Sequence, residues 1–226
     1  MTQIVFAYNP FMKKSVLVKS ALLGVSVLFV FGFARRSALI QEFSLQDPKG
    51  ANGFVFSLTD GLEPLHGTGN DVTGTVMFNA ENPAKSTGKI VIGIKSLKLT
   101  SDQMTENMKG SWCLDADKYP TATFEVESGK LDKTDKDGTM HGSAVGMFTV
   151  RGISKRITVK GTGRYVKNGI KARFGDKEGD LMILKTEFDF NRFDYKIGTD
   201  LADTLISNRV HVIINCAAMS FAKPQQ

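Results

Sequence analysis

Beyond residue 50 apolar side chains recur at every second position. Phe54, Phe56 and Leu58 alternate with Val55, Ser57 and Thr59, and Val76 and Phe78 with Thr75, Met77 and Asn79. Ile90, Ile92 and Ile94 stand opposite Val91, Gly93 and Lys95, and Ala122, Phe124 and Val126 opposite Thr121, Thr123 and Glu125. Further on, Phe148 pairs with Val150 and Ile157 with Val159, and Met182, Leu184, Phe188 and Phe190 share a face that Thr186 interrupts. The last such run sets Val210, Val212, Ile214 and Cys216 against Arg209, His211, Ile213 and Asn215. A period of two sends successive side chains to opposite faces, so each run predicts a strand with one dry face.

The punctuation agrees. Pro120 lacks a backbone donor and pushes Tyr119 toward extended geometry, so a strand is expected to open there. Asp137-Gly138 and Asn168-Gly169 supply the positive-φ residues of tight hairpins, and Glu178-Gly179-Asp180 marks a further turn. One stretch departs from the pattern: Ser101 can cap, Asp102 is acidic in the first turn, and Met104 and Met108 lie four apart, which predicts a short helix. About eight strands with short turns suit either a sandwich or an up-and-down antiparallel barrel, and the pattern alone does not separate them. The inner faces are large and aromatic, and a barrel of about eight strands is either filled by its own side chains or holds one small ligand.

Composition changes the picture at the N-terminus. Of the 226 residues 42% are hydrophobic, enough for one large core. The formal charge of +6 includes Lys13, Lys14 and Lys19, unbalanced by any acid before Arg35. Without them 26 basic residues face 23 acidic ones, a surplus too mild to argue for nucleic acid. Those lysines precede the apolar run from Ala21 to Ala34, a basic region followed by an apolar one, which predicts an export signal over 1–34 cut after Ala34. Met12, followed by two lysines, is an alternative start. Arg35-Arg36 hinders translocation, so an uncleaved membrane anchor with the domain still exported is the alternative. A linker is expected over 35–50, the barrel domain over 51–217 and a tail over 218–226.

Candidate chemistry is sparse. Cys113 and Cys216 could pair in an oxidising compartment, but Cys216 falls on an apolar register and Cys113 in a distant loop, so the unpaired reading is preferred. His66, His141 and His211 read as solvated surface residues without zinc-ligand spacing, and no metal or cofactor is expected. No nucleophile elbow, His-Glu-x-x-His helix or phosphate loop occurs, so an enzyme is not predicted. Arg151 and Arg192 could anchor a ligand headgroup, but hydrogen bonding at turns and barrel ends is the preferred role, with Asp194 as a local partner. Lys155 and Arg156 read as a solvated face.

Three ordered motifs carry a resemblance. SLKLTSDQMTENMKGSWCLDADKYPTATFE resembles a segment of YceI-like proteins through Ser96, Thr100, Asp115, Lys118, Tyr119, Pro120 and Phe124. VGMFTVRGISKRITVKGTG is similar to that family's hairpin through Thr149, Val150, Arg151, Gly152 and Lys155, and FNRFDYKIG to a third motif through Arg192, Asp194, Tyr195 and Ile197. The chain departs from the family pattern at Thr105-Glu106-Asn107-Met108 and at Asp194-Tyr195-Lys196-Ile197. The resemblance implies an all-β, lipocalin-like barrel with one short helix, holding one long isoprenoid, a polyprenol or quinone tail, in an apolar interior. The residues expected to touch it are Phe54, Phe56 and Phe78 from the first strands, Ile92, Ile94, Phe124, Phe148 and Val150 from the middle, and Phe188, Phe190, Val212 and Ile214 from the last. Trp112 joins them from a loop, where with Leu114 it would close one end. An exported, periplasmic lipid carrier that meets a membrane surface during loading follows from this. The alternative is a stress-linked or adhesive module whose barrel is filled by its own phenylalanines.

Overall fold

The computed structural model describes residues 40–222. Five long strands form an uninterrupted meander: β7 (Thr121–Thr134), β8 (Thr139–Val150), β9 (Ile153–Val166), β10 (Gly179–Asn191) and β11 (Arg209–Phe221). Ahead of them come β1 (Ile40–Ser44), β2 (Gly53–Leu58), β3 (Leu65–Gly69), β4 (Val72–Asn79), β5 (Thr87–Gly93) and β6 (Lys98–Leu99). All neighbours are antiparallel, in the order β1-β4-β5-β7-β8-β9-β10-β11-β2-β3-β6, and β1 also meets β11 through Ser44 and Met219. That contact closes β1, β4, β5 and β7 to β11 into a ring, with β2, β3 and β6 continuing from one half of β11. The open choice between sandwich and barrel resolves as a barrel.

The seam needs a patch. β11 pairs with β2 as far as Asn215 and with β1 only at Met219, which leaves the backbone of Ala217 between two partners. Buried Asn52 fills the gap: its Nδ2 donates to Leu45 O at 2.6 Å and its Oδ1 accepts from Ala217 N at 2.8 Å. A side-chain amide here does the work of a missing strand residue, because a buried backbone group left unpaired is costly.

Turns follow local chemistry. Arg151 and Gly152 join β8 to β9 with φ of 51° and 72°, the doubly positive geometry of a two-residue hairpin. At Asp137-Gly138 the expected hairpin forms, with Gly138 at φ 84°. Asn168-Gly169 does not make a tight hairpin. Asn168 is left-handed, but it leads into a short helix, Gly169–Phe174, because Ile170 and Phe174 pack against Leu181 and Met219. The expected short helix forms at Asp102–Lys109, with Ser101 Oγ accepting from Met104 N. We call these helices α1 (Asp102–Lys109) and α2 (Gly169–Phe174).

Three boundaries differ from expectation. The segment read as a linker contains β1, and its Phe43 and Leu45 are fully buried. The segment read as a tail still belongs to β11 as far as Phe221. Ile94 leaves the strand for a single 3-10 turn, Ile94–Ser96, where its N–H donates to Pro120 O while its side chain stays buried. The signal over 1–34, its cut after Ala34 and the start at Met12 lie outside the described residues, among which no helix is long and apolar enough to cross a membrane. Cys113 and Cys216 are both buried and unpaired.

Candidate functional site

The bore holds two chambers. The nearer, of about 300 Å³, lies under α1 and the loop from Ile197 to Ile206. Phe54, Phe56, Ile92, Ile94, Trp112, Phe148, Val150, Phe188, Phe190 and Val212 all line it. The farther, of about 210 Å³, takes Phe78 and Phe124. Between them is a void of only about 10 Å³, bordered by Phe124, Phe148, Phe188, Val159, Thr186 and Ile214 among others. This neck shares Ile92, Phe148 and Phe188 with the near chamber and Ile90, Phe124, Val159 and Thr186 with the far one. The thirteen residues expected at a ligand are thus divided among two chambers and the constriction that separates them.

Glycines and rings set the wall together. Phe54 and Phe56 on β2 stand opposite Gly69 and Gly67 on β3, and their rings lie so close over these glycines that a methyl group on Gly67 would fall 2.1 Å from Phe56. At the neck Phe148 meets Phe188 edge-on at 5.2 Å, and Phe190 and Tyr195 at 5.3 and 5.4 Å, which fixes its ring from three sides. The far end is stoppered by Phe43, Phe78 and Tyr165, with Phe78 and Tyr165 stacked at 5.8 Å. Tyr165 donates to Asp180, which also accepts from Gln41 Nε2 and Asn168 N, each at 2.8 Å. Burial and the Asp180 carboxylate push the Tyr165 hydroxyl up to about 12, so it remains a donor.

The mouth is shaped by two arginines. Arg192, 3% exposed, donates through Nε to Ser207 O, through Nη1 to Ile197 O and Gly198 O, and through Nη2 to Leu201 O and Ile206 O. All five of its N–H groups are occupied by carbonyls of the mouth loop, so none is left for a headgroup. Burial holds its guanidinium below the ordinary arginine value. Asp194 is not its partner; it pairs with Lys155 at 3.1 Å, and Arg156 pairs with Glu127 at 2.7 Å. Arg151 donates to Lys196 O and Ser111 O, tying the β8–β9 turn to the Trp112 loop. Leu114 is buried, but Trp112 is 42% exposed and forms part of the rim rather than a seal. Glu63 and Asn107 are the other polar side chains at this chamber among the described residues.

The remaining candidates are two buried cysteines and three histidines with access to solvent. Cys113 lines the near chamber; burial pushes its thiol up to about 11 against the opposing charges of Arg192 and Arg151, and burial pushes Cys216 up to about 12. His141 meets Asp135 at 2.5 Å and His211 meets Asp189 at 2.7 Å, both part-exposed, and His66 is exposed. Sequence reading missed Leu97, Leu99, Met108, Leu201 and Ile206, which reach the near chamber from short or irregular segments. Only Met108 carried a signal, as the second methionine of the helix.

Comparison with known proteins places this geometry. The chain is 29% identical over 204 residues to Protein YceI of Escherichia coli, covering 88% of this chain and 96% of that one. It is 27% identical over 205 residues to a UPF0312 protein of Yersinia pestis, with the same coverage. Among solved structures it is similar to BcnA of Burkholderia cenocepacia, with a TM-score of 0.56 at 16% identity over 74% of this chain and 95% of that one. It is also similar to a polyisoprenoid binding domain from Saccharophagus degradans implicated in plant cell wall breakdown, with a TM-score of 0.56 at 12% identity, covering 80% and 99%. These structural likenesses speak for the barrel alone. Residues 45–218 match the YceI-like domain, nearly the whole closed sheet, and the chain belongs to the YceI-like family.

Proposed function

We propose that this protein is an exported carrier that holds one long isoprenoid chain, a polyprenol or a quinone tail, in its bore. The observation that carries this reading is the near chamber: about 300 Å³, at the lower end of ligand-pocket sizes, walled almost wholly by hydrocarbon. A polyisoprenoid needs no hydrogen bonds to enter such a space, because removing its surface from water is favourable by about 25 cal/mol per Å². The polyisoprenoid-binding structural neighbour and the family membership support the same class of ligand.

The mouth narrows the choice of head. Arg192 is fully occupied, and among the described residues the polar side chains left at the chamber's border are Glu63, Asn107 and the Trp112 indole. An uncharged head fits these better than a phosphate, which Glu63 would repel. Leu62, 81% exposed and next to Glu63, together with Met104 and Trp112, offers an apolar rim to a membrane surface during loading. A chain longer than the near chamber reaches the far one only when Phe124, Phe148 and Phe188 turn aside.

The lone tryptophan makes the test direct. Lipid extracted from protein purified without detergent should contain an isoprenoid by mass spectrometry. Titrating delipidated protein with a long-tailed quinone should quench Trp112 fluorescence saturably at one equivalent, whereas the same headgroup without its tail should not. Absence of both the lipid and the quench would leave the self-filled module as the better reading.

A further inference from the structure

On the outer wall, residues far apart in sequence fall into one row. Asp189 on β10 pairs with His211 on β11, His211 with Ser57 on β2, and Ser57 with His66 on β3. Directly paired residues of antiparallel neighbours point to the same face, so the four side chains stand abreast. That face is the outside, because Phe188, Val212 and Phe56, one position along each strand, line the near chamber.

The row is oriented as well as aligned. Asp189 Oδ1 lies 2.7 Å from His211 Nδ1, so the ring's other nitrogen is turned away from β10, toward β2 and β3. With neighbouring strands about 4.8 Å apart, the backbones of His211 and His66 are roughly 9.6 Å apart. Two imidazoles leaning inward over the small Ser57 side chain, with metal–nitrogen bonds of about 2.1 Å, span such a gap. Both histidines border a hollow of about 480 Å³ on the outer surface, which Val55, Ile213 and Lys98 also line.

We propose that His66 and His211 form a two-histidine site for a divalent transition-metal ion, zinc or copper, with Asp189 as the positioning residue behind His211. Imidazole suits these ions, and a carboxylate on the second ring nitrogen is the usual device for fixing a ligating histidine. No three His, Cys, Asp or Glu side chains cluster as metal ligands among the described residues, so water completes the coordination. Arg209, which donates to Asp189 at 2.9 Å, and Lys98 add positive charge nearby, so the affinity is that of an exchangeable site rather than a structural one. The site is independent of the bore, and its test does not depend on lipid binding.

Zinc chloride titrated calorimetrically into the full, tag-free chain in a non-chelating buffer should bind at one equivalent. His66→Gln and His211→Gln should each weaken binding at least tenfold, and Asp189→Asn several-fold at unchanged stoichiometry. His141→Gln, on another hairpin, should leave it unaltered. With copper(II), electron paramagnetic resonance should report two nitrogen ligands in the parent and one in either histidine variant; Asp189→Asn should keep two with altered splitting. Metal-free melting curves verify that the variants fold, and exposed His66 provides the variant least able to disturb the barrel. No saturable binding by the parent, or full binding retained in both His66→Gln and His211→Gln, overturns the proposal.

Discussion

Arg192 lies beneath an apolar chamber with no carboxylate among its hydrogen-bond partners, yet each of its N–H groups has an acceptor. A planar fork with five donors can gather five carbonyls; a lysine ammonium has three donors and no fixed plane. Arg192→Lys should therefore destabilise the fold by roughly 2–4 kcal/mol, since at least two buried carbonyls lose their partner. Amide exchange along 197–206 should accelerate more than elsewhere, and equal protection along that loop would contradict the assignment. The sequence favoured hydrogen bonding over headgroup anchoring for this residue, and the carbonyl cage agrees. The partner it suggested, Asp194, was a neighbour in sequence only. Five carbonyls contributed by a loop that folds back over the arginine leave no trace in local pattern.

At the scale of elements, legibility depended on whether a strand carries its own apolar residues. Strands such as β10 and β11 alternate over several turns of the pleat and were plain. The register of β3 was hidden because two of its three inward positions, beside Leu65, are Gly67 and Gly69, whose space is filled by rings borrowed from β2. β1 shows too short an alternation, with Phe43 as its one buried residue and Leu45 just past its end, and so resembles a linker. Ile170 and Phe174, four apart, were the overlooked sign of α2, outweighed by the turn signal of Asn168-Gly169. At the seam, Asn52→Ala should cost about 2–3 kcal/mol in chemical denaturation, because Ala217 N–H and Leu45 C=O are both left without Asn52. A loss below about 0.5 kcal/mol would mean that the ends of β1 and β2 can close up without it.

For the whole molecule, acid is the condition that loosens the end of the barrel beside α2, where two carboxylates are held. Asp47 is held by Arg173 at 2.6 Å and by the amides of Lys49 and Ala51, and Asp180 by Gln41, Asn168 and Tyr165. Burial acts to raise both carboxyls, but these hydrogen bonds outweigh it and hold each below its ordinary value. Folded values below unfolded ones mean that the folded chain binds fewer protons. The stabilisation is therefore complete above the unfolded carboxyl value of about 3.9 and is lost as pH falls through and below it. Melting temperature should drop steeply between about pH 5 and pH 2, and Asp47→Asn should flatten that drop while lowering stability at neutral pH. An unchanged slope in the variant would show that Arg173 does not act through the Asp47 charge.

The contact of Ser44 with Met219 has a consequence for time as well as shape. Because β1 and β11 meet to shut the ring, a chain emerging from its N-terminus has no closed interior until β11 is free to join. The bore is thereby formed only once β11 has joined, and long-range closure of this kind is slow. A truncation that spares every wall residue but β11 would yield an open, sticky sheet in place of a shorter vessel.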